Sequence, residues 1–421
     1  MYDSRTRVLD AIDHRQPDRV PVDFGAMPST GMHCSIIEGL REHYGLEKRP
    51  VRAFEPYQML GWIDDDLREA MELDAVMVMP VGTNFGNPVG EWKEWRTLWG
   101  QDVLIPAGME VERAEDGGYV VYPQGDRSVP PCAKMPASGY FFDAIERQEE
   151  YDEDDPDPRD NAADYSVLSD GAVATIAASA REARATGKLT MFSLPGGSLS
   201  SPSQFAGMAH KRTRGMRRLA DWYMAMVAMP DFVKGVFAIQ TEIALENLAR
   251  VHRAAGGDID VLMLCTGDFG TQINTFFSLD TFNDLFVPFY KRINGWIHDN
   301  TGWKIFKHSC GAIEPLINAM IESGFDILNP VQCSAAGMDP SHLKKTYGDR
   351  IAFWGGGIDT QKVLPFGTPE ECRRQAVERC RIFSPGGGFV FNAIHNVQAM
   401  TPVPNVIAML DGVREFNAAG K

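Results

Sequence analysis

His308-Ser309-Cys310-Gly311 sits just past the apolar run Trp303-Lys304-Ile305-Phe306. An imidazole and a thiol at i and i+2 near a strand end project from one face, because side chains alternate with period two. Such a pair can hold a borderline-soft metal ion, and zinc is the usual guest of mixed nitrogen and sulfur donors. A site with three protein donors and one open position is of the catalytic kind, so the pair needs a third. Three side chains compete for that place: His395, Cys333 and Asp268. His395 is expected, since histidine is a commoner zinc ligand than a carboxylate and Asn392 and Asn396 stand nearby to orient it. Cys333 is its rival, one strand away from Cys310 and offering a sulfur-richer set. The bland alternative makes His308 and Cys310 ordinary buried strand-end residues; the pair spacing and the second strand-end histidine tell against it.

These side chains need a scaffold that brings them together. Short apolar segments recur along the chain, most followed by Gly, Pro, Asn or Asp and then a stretch of helical period. Strands are expected at 20–24, 74–79, 189–194, 260–265, 303–308, 326–330, 351–355 and 388–392. Amphipathic runs such as 315–323 and 369–383 lie between the later ones. Strand alternating with helix implies a parallel sheet. About eight such units suggest an α/β fold closed as a (β/α)8 barrel, a single domain over 1–421, which takes about 250 residues plus insertions. The surplus falls in 82–188, an insertion with Trp92, Trp95 and Trp99, a hairpin through Gly117-Gly118 and the acidic run 149–155. The acidic run reads as a solvated loop, and the tryptophans as an insertion core or subunit contact.

Active sites of such barrels sit at the carboxyl ends of the strands. Five consecutive predicted strands end in polar or glycine-rich turns: Thr266 to Gln272, His308 to Gly311, Asn329 to Cys333, Gly355 to Asp359, and Asn392 to Gln398. Asp268 is the candidate general base or partner of a metal-bound imidazole, with an N-cap for the next helix as the equal alternative. Gln272, Asn329, Gln332, Asn392 and Gln398 are the candidates for positioning substrate. Gly355–Gly357 lacks the spacing of a nucleotide-binding loop. The remaining cysteines, Cys34, Cys132, Cys265, Cys372 and Cys380, read as small buried hydrophobes.

Bulk properties narrow the choices further. A net charge of −16 argues against a nucleic-acid partner, which needs a concentrated positive face. No apolar stretch is long enough to span a bilayer, and the opening Met1-Tyr2-Asp3-Ser4-Arg5 shows no secretory leader. Seven scattered cysteines fit a reducing cytoplasm better than a disulfide framework.

The residues resemble the uroporphyrinogen decarboxylase superfamily, and more closely its zinc-dependent, corrinoid-linked methyltransferase branch. The likeness runs through 5–22 with Gln16-Pro17-Asp18-Arg19-Val20-Pro21, then 268–272, 308–311, 355–361 and 386–410. It implies a single (β/α)8 barrel and enzymes that move methyl groups between a corrinoid protein and a thiol. It also implies zinc held by a His-x-Cys pair, matched by His308 and Cys310, and a later cysteine. Here the place of that cysteine holds His395. A nitrogen-richer site leaves more positive charge on the metal, which favours Lewis-acid activation of an oxygen ligand over thiolate chemistry; a methoxy-type methyl donor is therefore expected as readily as a thiol acceptor. The porphyrinogen-decarboxylating branch resembles proteins with an early arginine-rich segment, whereas 23–31 here contains no arginine. No Asp-x-His-x-x-Gly cluster is present, so the corrinoid is expected on a separate partner protein. The expectation is a cytoplasmic zinc methyltransferase, as a possible homodimer. A lyase or decarboxylase acting on a small acid, or a non-catalytic subunit of a methyl-transfer complex, stands as the alternative.

Overall fold

The structure, a computed structural model, describes residues 2–163, 165–195, 199, 207–265 and 267–420. Thr266 and the side chain of Cys265 thus lie outside the described residues. Seven parallel strands form the central sheet, in the order Phe389–Val390, Ala352–Trp354, Ile327–Asn329, Lys304–His308, Val261–Cys265, Leu189–Ser193, Ala75–Met77. Helices precede the later strands in alternation: Pro230–Ala255, Val287–Asn300, Glu314–Glu322, Pro340–Tyr347 and Pro369–Phe383. The last of these starts with a reciprocal cap, Thr368 accepting from Glu371 N while the Glu371 carboxylate accepts from Thr368 N.

The segment 20–24, expected as a strand, forms none. Val22 makes one parallel bridge, to Phe391. Pro21 brings no N–H to a ladder, and Val22 N donates instead to the Asp74 carboxylate at 3.0 Å. The segment still touches both edges of the sheet: Phe391 N donates to Pro21 O at 2.8 Å and Asp74 N to Val22 O at 2.8 Å.

Helix Ser4–Ile12 covers the amino ends of the strands. Arg5 pairs with Asp260 at 2.8 Å, Arg7 with Asp74 at 2.8 Å, and Lys304 with Asp13 at 2.6 Å. Its Val8, Ala11 and Ile12 pack in one buried cluster with Ala75, Leu189, Val261, Phe306, Ile327, Ala352 and Val390. Those strand residues define the inward face; Val76, Leu262, Ile305, Leu328 and Phe389 belong to the cluster under the helices. Arg7 and Asp74 are both buried, and removing one member of such a pair costs about 3–5 kcal/mol.

Two small sheets are added before residue 150. One is mixed, in the order Leu60–Gly61, Val51–Glu55, Asp102–Pro106, Trp92–Arg96. The other is antiparallel and includes the hairpin expected at Gly117-Gly118, with Val111 opposite Val121 and Arg113 opposite Tyr119. Trp95 stacks on Phe142 and Trp99 on Tyr140, so two of the three tryptophans pack inside this region.

Glu55 ends a strand of the mixed sheet, is only 6% exposed, and accepts from Tyr57 N, Gln58 N and Asn84 Nδ2. Burial pushes its carboxyl up to about 7, against the hydrogen bonds that lower it. Its folded form therefore binds a proton more tightly than the unfolded chain does. Stability should fall as pH rises from the ordinary carboxyl range through about 7 and then level off, by an amount on the order of 3 kcal/mol. Urea unfolding at pH 5 and pH 8 checks this: Glu55→Gln is expected to reduce the difference seen in the wild type.

Candidate metal centre

Period-two alternation turns the inward apolar layer into a polar one at the carboxyl ends. Phe306 puts His308 on its own face, Ile327 puts Asn329 there, and Val390 puts Asn392 there. Cys310 follows two residues past the end of that strand. His308, Cys310 and His395 converge so that one donor atom from each lies within 4.8 Å of the others. His308 Nε2 is 3.7 Å from Cys310 Sγ, and the two imidazole centroids are 5.5 Å apart at 67°. His395 thus joins His308 and Cys310 in a group that could hold a metal ion. Cys333 is not part of the group: its Sγ–H faces Val331 O at 3.4 Å, and its thiol is pushed up to about 12, chiefly by burial.

Hydrogen bonds decide which nitrogen His308 offers. Asn329 Nδ2 donates to Trp354 O at 2.8 Å, so its Oδ1 must face the imidazole. His308 Nδ1–H donates to that oxygen at 2.7 Å, which leaves the Nε2 lone pair directed at the cluster. Burial lowers the His308 pKa; it also takes His395 down to about 4, with the charge of His308 as the next cause. Both rings are neutral at pH 7 and free to donate. Burial and then Asp268 hold the Cys310 thiol well above its ordinary range, so a cation entering here must displace that proton. Two neutral imidazoles and one thiol, mostly buried and with one ring nitrogen already fixed, fit a zinc-type ion.

The turn carrying Cys310 is fastened at each backbone N–H. Cys310 N donates to Asp268 Oδ1 at 2.8 Å, Gly311 N to Gln332 Oε1 at 2.8 Å, and Ala312 N to Thr271 O at 2.8 Å. Gln332 Nε2 in turn donates to Gln272 Oε1 at 2.9 Å, and Gln272 is exposed. Asp268 Oδ1 also stands 3.7 Å from His308 Nε2. The following helix, Leu279–Leu285, is capped by Ser278, so the N-cap alternative for Asp268 is set aside.

Other expectations are placed differently. Asn392 is fully buried and donates to Asp23 O at 2.7 Å; its Oδ1 has no partner. Asn396 bonds Gly31 and Gln58 rather than the His395 ring. Gln398 is exposed, and among the described residues no hydrogen bond ties its side chain to the donors. Two residues escape a sequence reading. Asp23 lies inward and buried, accepts from Trp354 Nε1 at 2.9 Å, and is raised by burial to about 6. Tyr223, stacked on Phe276 at 4.7 Å, is pushed up to about 12 by burial and by the charge of Asp268. A recess of about 430 Å³ lies elsewhere, between Arg52, Trp62, Trp92 and the helix Asp170–Ala185. It has no thiol or imidazole among its walls, and its size gives no reason to place the chemistry there.

Comparison with known proteins places the chain in a family. The family model described as uroporphyrinogen decarboxylase (URO-D) matches residues 160–416; the chain belongs to this family. Uroporphyrinogen decarboxylases of Coxiella burnetii, from strains Dugway 5J108-111 and RSA 493 / Nine Mile phase I, are 32% identical over 89 residues. That match spans 20% of this chain and only 24% of the length of those curated relatives. A methyltransferase from Methanosarcina mazei has a similar fold over 99% of both chains, with a TM-score of 0.55 at 15% identity. Among the described residues no single helix is long and apolar enough to cross a membrane; Leu219–Ala228 and the helix after it qualify only jointly, bent by 109°.

Proposed function

We propose that this chain is a zinc-dependent methyltransferase, moving a methyl group between a small substrate and a corrinoid protein or thiol acceptor. The observation that carries the reading is the convergence of His308, Cys310 and His395 within 4.8 Å at the carboxyl ends of the strands. The chain-length likeness to the M. mazei methyltransferase supports it. We further take the chain as one domain over 1–421, closed as a (β/α)8 barrel with 20–24 as the eighth stave and 82–188 as an insertion. A main apolar cluster reaching from Val20 to Val413 supports that organisation. The setting is taken as cytoplasmic, with the corrinoid on a separate protein.

In this reading His308 Nε2, Cys310 Sγ and a nitrogen of His395 hold Zn2+, which when bound supplies a Lewis-acid centre for a sulfur or oxygen atom of the substrate. Asn329 keeps His308 in the tautomer that presents Nε2. The Asp268 carboxylate stands beside the Cys310 thiol and is the acceptor for its proton; it is 35% exposed, so that proton can pass on to solvent. Gln332 holds the Gly311 N–H and thereby the Cys310 turn, while Gln272 presents the free end of the same amide pair toward a substrate. Asn392, Gln398 and Asn329 complete the proposed polar surroundings.

The decarboxylase relatives favour a second reading, a lyase acting on a small acid. Metal analysis of protein purified without added zinc, combined with a methyl-transfer assay against a corrinoid protein, separates the two. Stoichiometric zinc and methyl transfer are expected. Protein without metal that decarboxylates a small acid at full rate would overturn the proposal.

A further inference from the structure

We infer that Gln58, at the tip of the hairpin joining Val51–Glu55 to Leu60–Gly61, is a positioning residue for His395 and acts through the Asn396 side chain. The inference rests on the metal-centre reading above and extends it to a segment 338 residues away in sequence. The backbone around His395 is tied at two points: Ile394 N donates to Ile358 O at 3.1 Å, and Val397 N donates to Gly31 O at 3.0 Å. Between them the tether is the Asn396 amide, 1% exposed. Its Oδ1 accepts from Gly31 N at 3.0 Å, and its Nδ2 donates to Gln58 Oε1 at 3.0 Å. The orientation is forced. A backbone N–H can be met only by the amide oxygen, so the amide nitrogen must face Gln58, and Gln58 must answer with oxygen.

Gln58 can serve as a fixed mount because its own turn is held from below. Gln58 N donates to Glu55 Oε2 at 2.9 Å and Tyr57 N to Glu55 Oε1 at 3.2 Å. Met59 occupies the left-handed region at φ 54°, and its carbonyl accepts from Cys34 N at 2.9 Å. Without the Gln58 oxygen, Asn396 Nδ2 is a buried donor with no acceptor. A buried group left in that state is costly, and the relief available is movement of the loop that carries the imidazole. A donor set tolerates displacements of only about 0.5 Å before it is loosened.

The test uses the full chain carrying Gln58→Met, which keeps the shape and removes the acceptor, alongside Gln58→Ala. Three quantities are read: Zn2+ affinity by chelator competition at fixed pH, the absorption spectrum of the Co2+-loaded protein, and thermal unfolding of the metal-free protein. Zn2+ affinity is expected to fall about 10- to 100-fold, as for loss of other partners behind a ligand. The Co2+ bands should shift, while metal-free unfolding stays close to wild type. Wild-type affinity and spectrum in Gln58→Met would overturn the inference and leave the metal reading standing. Wild-type binding that does not depend on His395 would instead remove the reading on which it rests. Failure of both variants to fold would overturn it too, since it would make Gln58 a folding residue.

Discussion

His395→Ala is expected to leave the purified protein without metal, whereas Cys333→Ala keeps it. The wild type should carry about one equivalent, the occupancy of a three-donor site with an open position. Removing His395 leaves His308 and Cys310, two donors 3.7 Å apart. Affinity should drop by more than about a hundredfold, the upper end of what loss of an outer partner costs. Cys333 lies outside the donor group, with its sulfur directed at the Val331 and Gly356 carbonyls. Its alanine variant should therefore match the wild type in both zinc content and zinc affinity. Elemental analysis of the three proteins side by side decides the matter. Metal lost with Cys333 and kept without His395 would mean that the loop at 395 closes on something other than an ion.

Gly311→Ala is expected to abolish tight metal binding without touching a donor. Gly311 stands at φ 94°, where an added side chain is strained by about 1–3 kcal/mol. A Cβ there would also sit 2.3 Å from both the carbonyl carbon and oxygen of Gly270. Those are backbone atoms, and they cannot swing aside as a side chain does. The Cys310 turn must move as a unit, and with it the Asp268 and Gln332 hydrogen bonds that hold the thiol against His308. Gly302→Ala is the matched control, since nothing lies within 4 Å of its position. Zinc competition and thermal unfolding of both variants check the prediction: the control should behave as wild type, and Gly311→Ala should lose on both counts.

Much of the site can be read from sequence because it rests on local rules. Alternation along 303–308 fixes the face of His308, the i, i+2 spacing adds Cys310, and the strand-end position of His395 makes it the natural candidate for a third donor. Seven of the strands follow from apolar runs bounded by turn residues. The expected strand at 20–24 fails at Pro21, whose missing N–H is itself a sequence signal that outweighs the surrounding valines. Asn392 and Asn396 mark the limit of such reading. Sequence can put an amide at a strand end, but it cannot say that Asp23 O or Gln58 Oε1 has already claimed it. The inward carboxylate of Asp23 and its bond to Trp354 span opposite ends of the chain and leave no local signature.

The helix at the amino ends of the strands carries a consequence for the order of assembly. Arg5 and Arg7 reach Asp260 and Asp74, and Gly388 N donates to Ala11 O at 2.6 Å. Asp74 is near in sequence, but the helix completes its set of neighbours only when the strand Phe389–Val390 has come round to it. Closing such distant contacts is slow and comes late in folding. In the proposed reading the third donor, His395, likewise joins His308 and Cys310 only once the strands have paired in order, so an ion would meet a complete donor set late in assembly.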